Sequence, residues 1–104
     1  MFIVPEIHIA ELQKHQKDYT LIDVREPHEL LGPGGQIEGV ILASMGSALA
    51  HFLKTADPSL RYVFICRSGC RSAHACEIAH SYGFQEVYNM KGGMLAWNQL
   101  LMNI

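Results

Sequence analysis

Tyr62-Val63-Phe64-Ile65-Cys66-Arg67-Ser68-Gly69-Cys70-Arg71-Ser72 is the stretch on which the fold turns. Its first four residues are aromatic or β-branched, which predicts a central strand of a sheet. The strand runs directly into a cysteine and a short polar loop over residues 66–71. From Ser72 to Tyr82, the side chains of Ala75, Ile78, Ala79 and Tyr82 recur at helical spacing, and Gly83 stops the helix.

The same alternation extends outward in both directions. Upstream, Phe2 to Ile7 reads as an extended start that Pro5 confines to a sheet edge. Ile9 to Gln16 reads as a helix with Ile9 and Leu12 facing inward, and Tyr19 to Val24 as a buried strand. Pro27 to Leu31 forms one helical turn, and Gly32-Pro33-Gly34-Gly35 is loop because these residues break both regular structures. Val40 to Ala43 is a further apolar strand, after which Ser44 caps a helix reaching about Lys54, closed by Asp57-Pro58. Downstream, Val87 to Met90 is a last strand. Gly92-Gly93 then turns the chain into a final helix that places Leu95, Trp97 and Leu100 in the core. With no repeat, linker or low-complexity tract, residues 1–104 are read as a single α/β domain around a mainly parallel sheet.

The loop after Tyr62–Ile65 carries the chemistry. In open α/β sheets, ligands bind beyond the carboxyl ends of the strands, and Cys66 stands at such an end. The loop feeds a helix N-terminus, where backbone N–H groups lack intrahelical partners and the dipole is positive. That makes a nest for an anion. Arg67 and Arg71 add fixed positive charge, and the combined field is expected to lower the Cys66 pKa and prepare a thiolate nucleophile. It would equally stabilise the terminal sulfur of a persulfide.

Composition narrows the alternatives. The 104 residues are 49% hydrophobic and 17% charged, as in a compact globule, and the formal net charge of −2 offers no surface for nucleic acid or an anionic membrane. The longest uncharged stretch, Gly39 to Leu53, has 15 residues. A membrane-spanning helix needs ~20. The N-terminus lacks the basic start and long apolar run of a signal peptide. Cys66, Cys70 and Cys76 are an odd, closely spaced set, unsuited to a disulfide framework or a zinc site, so a reducing compartment, the cytoplasm, fits best. No metal or cofactor is implied.

The chain resembles the rhodanese family. Cys66-Arg67-Ser68-Gly69-Cys70-Arg71-Ser72 is similar to that family's active-site loop, and Leu21-Ile22-Asp23-Val24-Arg25-Glu26-Pro27-His28-Glu29 to its first signature. Gly83-Phe84, Val87, Asn89, Gly92-Gly93 and Ala96-Trp97 match its C-terminal pattern. The resemblance implies a five-stranded, mainly parallel sheet with helices on both faces and a two-step sulfur transfer. Cys66 would take sulfane sulfur from thiosulfate or a persulfide and pass it to a thiol acceptor such as thioredoxin or glutathione. Backbone N–H groups of Arg67, Ser68, Gly69, Cys70 and Arg71 would cradle the sulfur, Arg67 would favour an anionic donor at the mouth, and Arg71 would brace the loop from inside. Asp23 and Arg25 read as an ion-pair or hydrogen-bond brace, and Cys76 as packing.

Two features depart from the family pattern. Relatives carry Gly-His-Ile-Pro-Gly-Ala where this chain has Gly35-Gln36-Ile37-Glu38-Gly39-Val40, which predicts a local loop difference. Cys70 fills a variable loop position, either as a small residue that fits or as a partner thiol for Cys66. Rival functions remain open on the sequence. A cysteine phosphatase would need Cys-x5-Arg where this chain has Cys-x4-Arg. A non-catalytic docking module would not need Cys66 and both arginines. A thiol redox protein would use Cys66 with Cys70 but lacks Cys-x-x-Cys.

Overall fold

The computed structural model describes residues 1–102. In chain order the elements are β1 (Glu6–Ile7), α1 (Ile9–His15), β2 (Thr20–Asp23), α2 (Pro27–Leu30), β3 (Ile41–Leu42), α3 (Ser47–Thr55), β4 (Arg61–Ile65), α4 (Cys70–Ser81), β5 (Glu86–Met90) and α5 (Gly93–Met102). The five strands form one sheet in the order β1-β5-β4-β2-β3, with every neighbouring pair parallel. Strand β4 is central because its side chains find an apolar partner on either face. Tyr62 and Phe64 join a core with Leu49 and Leu53 of α3 and Ala75, Cys76 and Ala79 of α4. Val63 and Ile65 point the other way, into a core with Leu12 of α1 and Met94 and Trp97 of α5. This period-two split puts α3 and α4 on one face and α1 and α5 on the other, so the expected α/β architecture with helices on both faces is the one observed.

Several boundaries differ from the sequence reading, each for a local reason. Helix α4 starts at Cys70, two residues early, because Gly69 adopts φ +104° and its carbonyl already accepts from Ala73 N–H at 3.2 Å. The polar loop is therefore four residues, Cys66 to Gly69, and not six. Ser44 does not cap α3: its hydroxyl donates to the Arg25 carbonyl at 2.6 Å, and Gly46, with φ +105°, precedes the helix. The first helix ends at His15, and Gln16–Asp18 form a separate 3-10 turn. Strand β3 is only Ile41–Leu42, an edge pair with both side chains exposed. Leu95 is 50% exposed and Tyr82 41%, so neither belongs to the core, whereas Trp97 is buried at 8%. Among the described residues, no helix is long and apolar enough to cross a membrane.

Candidate active site at the end of strand β4

Cys66 follows the last residue of β4 and is 1% exposed. Its Sγ accepts from the Gly69 N–H at 3.0 Å and lies 3.2 Å from the Ser72 hydroxyl. The donors reach the sulfur because the loop's carbonyls are engaged elsewhere. The Cys66 carbonyl accepts from Met94 N–H at 2.9 Å and the Arg67 carbonyl from Leu95 N–H at 3.1 Å, both at the start of α5. These are amides that a helix N-terminus leaves without internal partners. In a trans peptide the C=O and N–H point in opposite directions, so tying the carbonyls to α5 turns the following amides away from it. The Gly69 carbonyl is held in turn by Asn89 Nδ2 at 3.0 Å.

Two glycines make this geometry attainable. Gly69 has the left-handed φ needed to start α4 immediately. Gly93 has φ +62°, and a Cβ there would lie 2.5 Å from the Arg67 carbonyl carbon and oxygen and 2.6 Å from the Cys66 oxygen. Only a residue without a side chain lets α5 approach the loop so closely.

The thiol's acidity reflects two opposed causes. Burial pushes the Cys66 pKa up, but hydrogen bonds from the Ser72 hydroxyl and from the Ser72, Gly69 and Ser68 backbone N–H groups outweigh it, leaving the pKa below the ordinary thiol value. Of the field expected from sequence, the backbone N–H groups at the start of α4 contribute to the shift, and the Ser72 hydroxyl adds a donor that the sequence reading did not name. Arg71 is committed to Glu29 of α2 in a bidentate pair at 2.8 and 2.9 Å. That pair ties the first turn of α4 to α2. The Glu29 carboxyl is held down to about 2 by the Arg71 hydrogen bonds, against a smaller opposing effect of burial.

The other predicted site residues are placed as follows. Arg67 and Ser68 are exposed. Arg67 lies on the rim of a cleft of about 450 Å³ that Glu29, Met94, Leu95 and Asn98 also line. Cys70 is exposed at the first position of α4, while Cys66 is buried, so the two thiols occupy opposite environments. Asp23 and Arg25 form a buried pair, with Arg25 Nη2 2.8 Å from Asp23 Oδ2 and donating to the Gly35 carbonyl at 2.8 Å. This pair anchors the loop after α2 rather than touching Cys66. Cys76 is buried in the core, and burial pushes its pKa up to about 12. Sequence reasoning assigned no role at the site to Ser72, Asn89 or Glu29. Asn89 could have been singled out as an amide on the buried side of a strand, beside Val87 and Met90, since a buried amide needs partners.

Comparison with known proteins agrees with the fold. Residues 8–100 match the rhodanese-like domain family. The "Putative sulfurtransferase YtwF" of Bacillus subtilis is 38% identical over 97 residues, covering 90% of each chain. The thiosulfate sulfurtransferase GlpE of Shewanella oneidensis is 30% identical over 83 residues, covering 80% of this chain and 79% of that one. The crystal structure of a rhodanese-related protein from Thermoplasma volcanium superimposes with a TM-score of 0.83 at 33% identity, covering 92% of both chains. With parallel sheet, cysteine loop and matched sequence together, the chain belongs to the rhodanese-like domain family.

Proposed function

We propose that the protein is a sulfurtransferase in which Cys66 carries sulfur as a persulfide. In the first step the Cys66 thiolate attacks the outer sulfur of a donor such as thiosulfate. A new S–S bond forms, the donor's S–S bond breaks, and sulfite leaves with that electron pair. In the second step an acceptor thiolate attacks the outer sulfur of the persulfide, and the Cys66–sulfur bond returns its electrons to Cys66. Neither step requires a general base if Cys66 is already ionised.

The observation that carries this reading is a buried thiol whose sulfur accepts from the Gly69 N–H and the Ser72 hydroxyl, donors that lower its pKa. Such a site favours an anionic sulfur at Cys66 and at the atom bound to it. Arg67 on the rim supplies a cation for an anionic donor, and a small thiol or a thioredoxin-like protein would serve as acceptor. The sulfurtransferase relatives support the same class of reaction. The use of Cys66 and Cys70 as a redox pair has less support, because one thiol is buried and the other exposed.

Steady-state transfer from thiosulfate to cyanide, followed as thiocyanate, tests the proposal. Turnover by the intact protein that disappears in Cys66→Ser is expected. Undiminished turnover in Cys66→Ser would remove Cys66 from the reaction.

A further inference from the structure

Ser72 has one hydroxyl proton and two acceptors. Its Oγ lies 3.2 Å from Cys66 Sγ and 2.5 Å from Asn89 Oδ1, and all three residues are buried. The orientation of the Asn89 amide is fixed from its other end. Nδ2 donates to the Gly69 carbonyl at 3.0 Å and to Glu6 Oε2 at 3.3 Å. Both of those atoms only accept, so the amide oxygen must face Ser72. With a neutral thiol the chain closes: the S–H donates to Ser72 Oγ, and the Ser72 O–H donates to Asn89 Oδ1. With a thiolate it cannot close. The Ser72 proton either turns to the sulfur and strands a buried amide oxygen, or stays on Asn89 and leaves the sulfur short of a donor. A buried acceptor left without a partner is costly.

We propose that Asn89 is a positioning residue that competes with the Cys66 sulfur for the Ser72 proton and so limits how readily Cys66 ionises. The proposal rests on the reading of Cys66 as a thiolate nucleophile. It adds a consequence: once Cys66 is in a persulfide its inner sulfur is uncharged, the Ser72 proton returns to Asn89, and the buried amide oxygen regains its partner. The charged groups nearby are mostly committed. Asp23 of β2 holds Arg25, Glu29 of α2 holds Arg71 of α4, and Glu6 of β1 touches Asn89 itself, while Arg67 is exposed.

The test is the pH dependence of Cys66 alkylation by iodoacetamide in the full chain, read on the tryptic peptide Tyr62–Arg67, which separates Cys66 from Cys70. It is run on Asn89→Ala, Ser72→Ala and the double variant. Asn89→Ala should lower the Cys66 midpoint by about one pKa unit when Ser72 is present, and by much less in Ser72→Ala. Asn89→Asp, which keeps the side-chain shape, should raise the midpoint more with Ser72 than without it, and serves where Asn89→Ala does not fold. If Asn89 only supports the loop through Gly69, Asn89→Ala would raise the midpoint, equally in both backgrounds, and that result would overturn the proposal. Alkylation does not require sulfur transfer, so a protein that titrates as described but takes up no sulfur would refute the proposed function and leave this inference standing.

Discussion

Cys66 and Cys76 share one core cluster and are 1% and 0% exposed, yet their thiols are driven in opposite directions. Burial, aided by the nearby Glu77 charge, pushes Cys76 to about 12, which makes it inert at neutral pH. At Cys66 the same penalty is outweighed by donors from residues 68, 69 and 72. Glu29 shows the complementary case of a carboxylate partly open to solvent. Its folded value of about 2 lies below the ordinary 4.5, so the pair with Arg71 stabilises the fold fully above pH 4.5 and loses that contribution as pH falls toward 2. Because the pair is partly exposed, solvent screening reduces its worth to about 1 kcal/mol. Glu29→Gln should therefore lower stability by about that amount at pH 7 and by almost nothing near pH 2, as measured by urea melts. An equal loss at both pH values would show that the side chain acts through packing instead of charge.

Among the elements, α5 has the most direct hold on the loop, since its first amides take the Cys66 and Arg67 carbonyls. Gly93 is where that hold is most sensitive. Gly93→Ala introduces both a positive-φ strain and a Cβ 2.5 Å from the Arg67 backbone. It should cost about 2–3 kcal/mol of stability and reduce sulfur transfer in the fraction that remains folded. Thermal melts and turnover per folded molecule check this. A variant as stable and as active as the parent would mean that α5 does not set the loop's shape. The Gly92-Gly93 turn was legible in the sequence, but its contact with residues 66 and 67, 26 or more positions earlier in the chain, was not. Strand β4 and its cysteine were legible because four apolar residues ending at a polar loop admit few other readings. The start of α4 was misjudged because Arg67, Ser68 and Cys70 carry no periodicity, and only the φ of Gly69 fixes the first turn. Leu95 followed the helical spacing of a core residue, yet half of it is exposed on the cleft beside Arg67, because the period of a helix does not say which turn meets solvent.

For the whole molecule, the parallel sheet is what brings the site together. Every strand points the same way, so β2, β4 and β5 deliver the Asp23–Arg25 brace, Cys66 and Asn89 to neighbouring positions toward the carboxyl end of the sheet. Apart from Glu6, which touches Asn89, the site's polar partners come from four separate stretches: Asp23 to Glu29, Cys66 to Ser72, Asn89, and Gly93 to Leu95. The family resemblance already placed these stretches in order, but the hydrogen bonds among them appear only once the sheet sets their register. The departures at Gln36 and Glu38 lie outside this network: both are exposed, and the buried Ile37 between them keeps the loop on the core. The most direct test of the central claim is the intact mass of reduced, desalted protein after incubation with thiosulfate. The account predicts a gain of one sulfur atom that is absent in Cys66→Ser and lost on adding cyanide. No gain with either thiosulfate or glutathione persulfide would contradict it, and the loop would then have to be read as a docking surface.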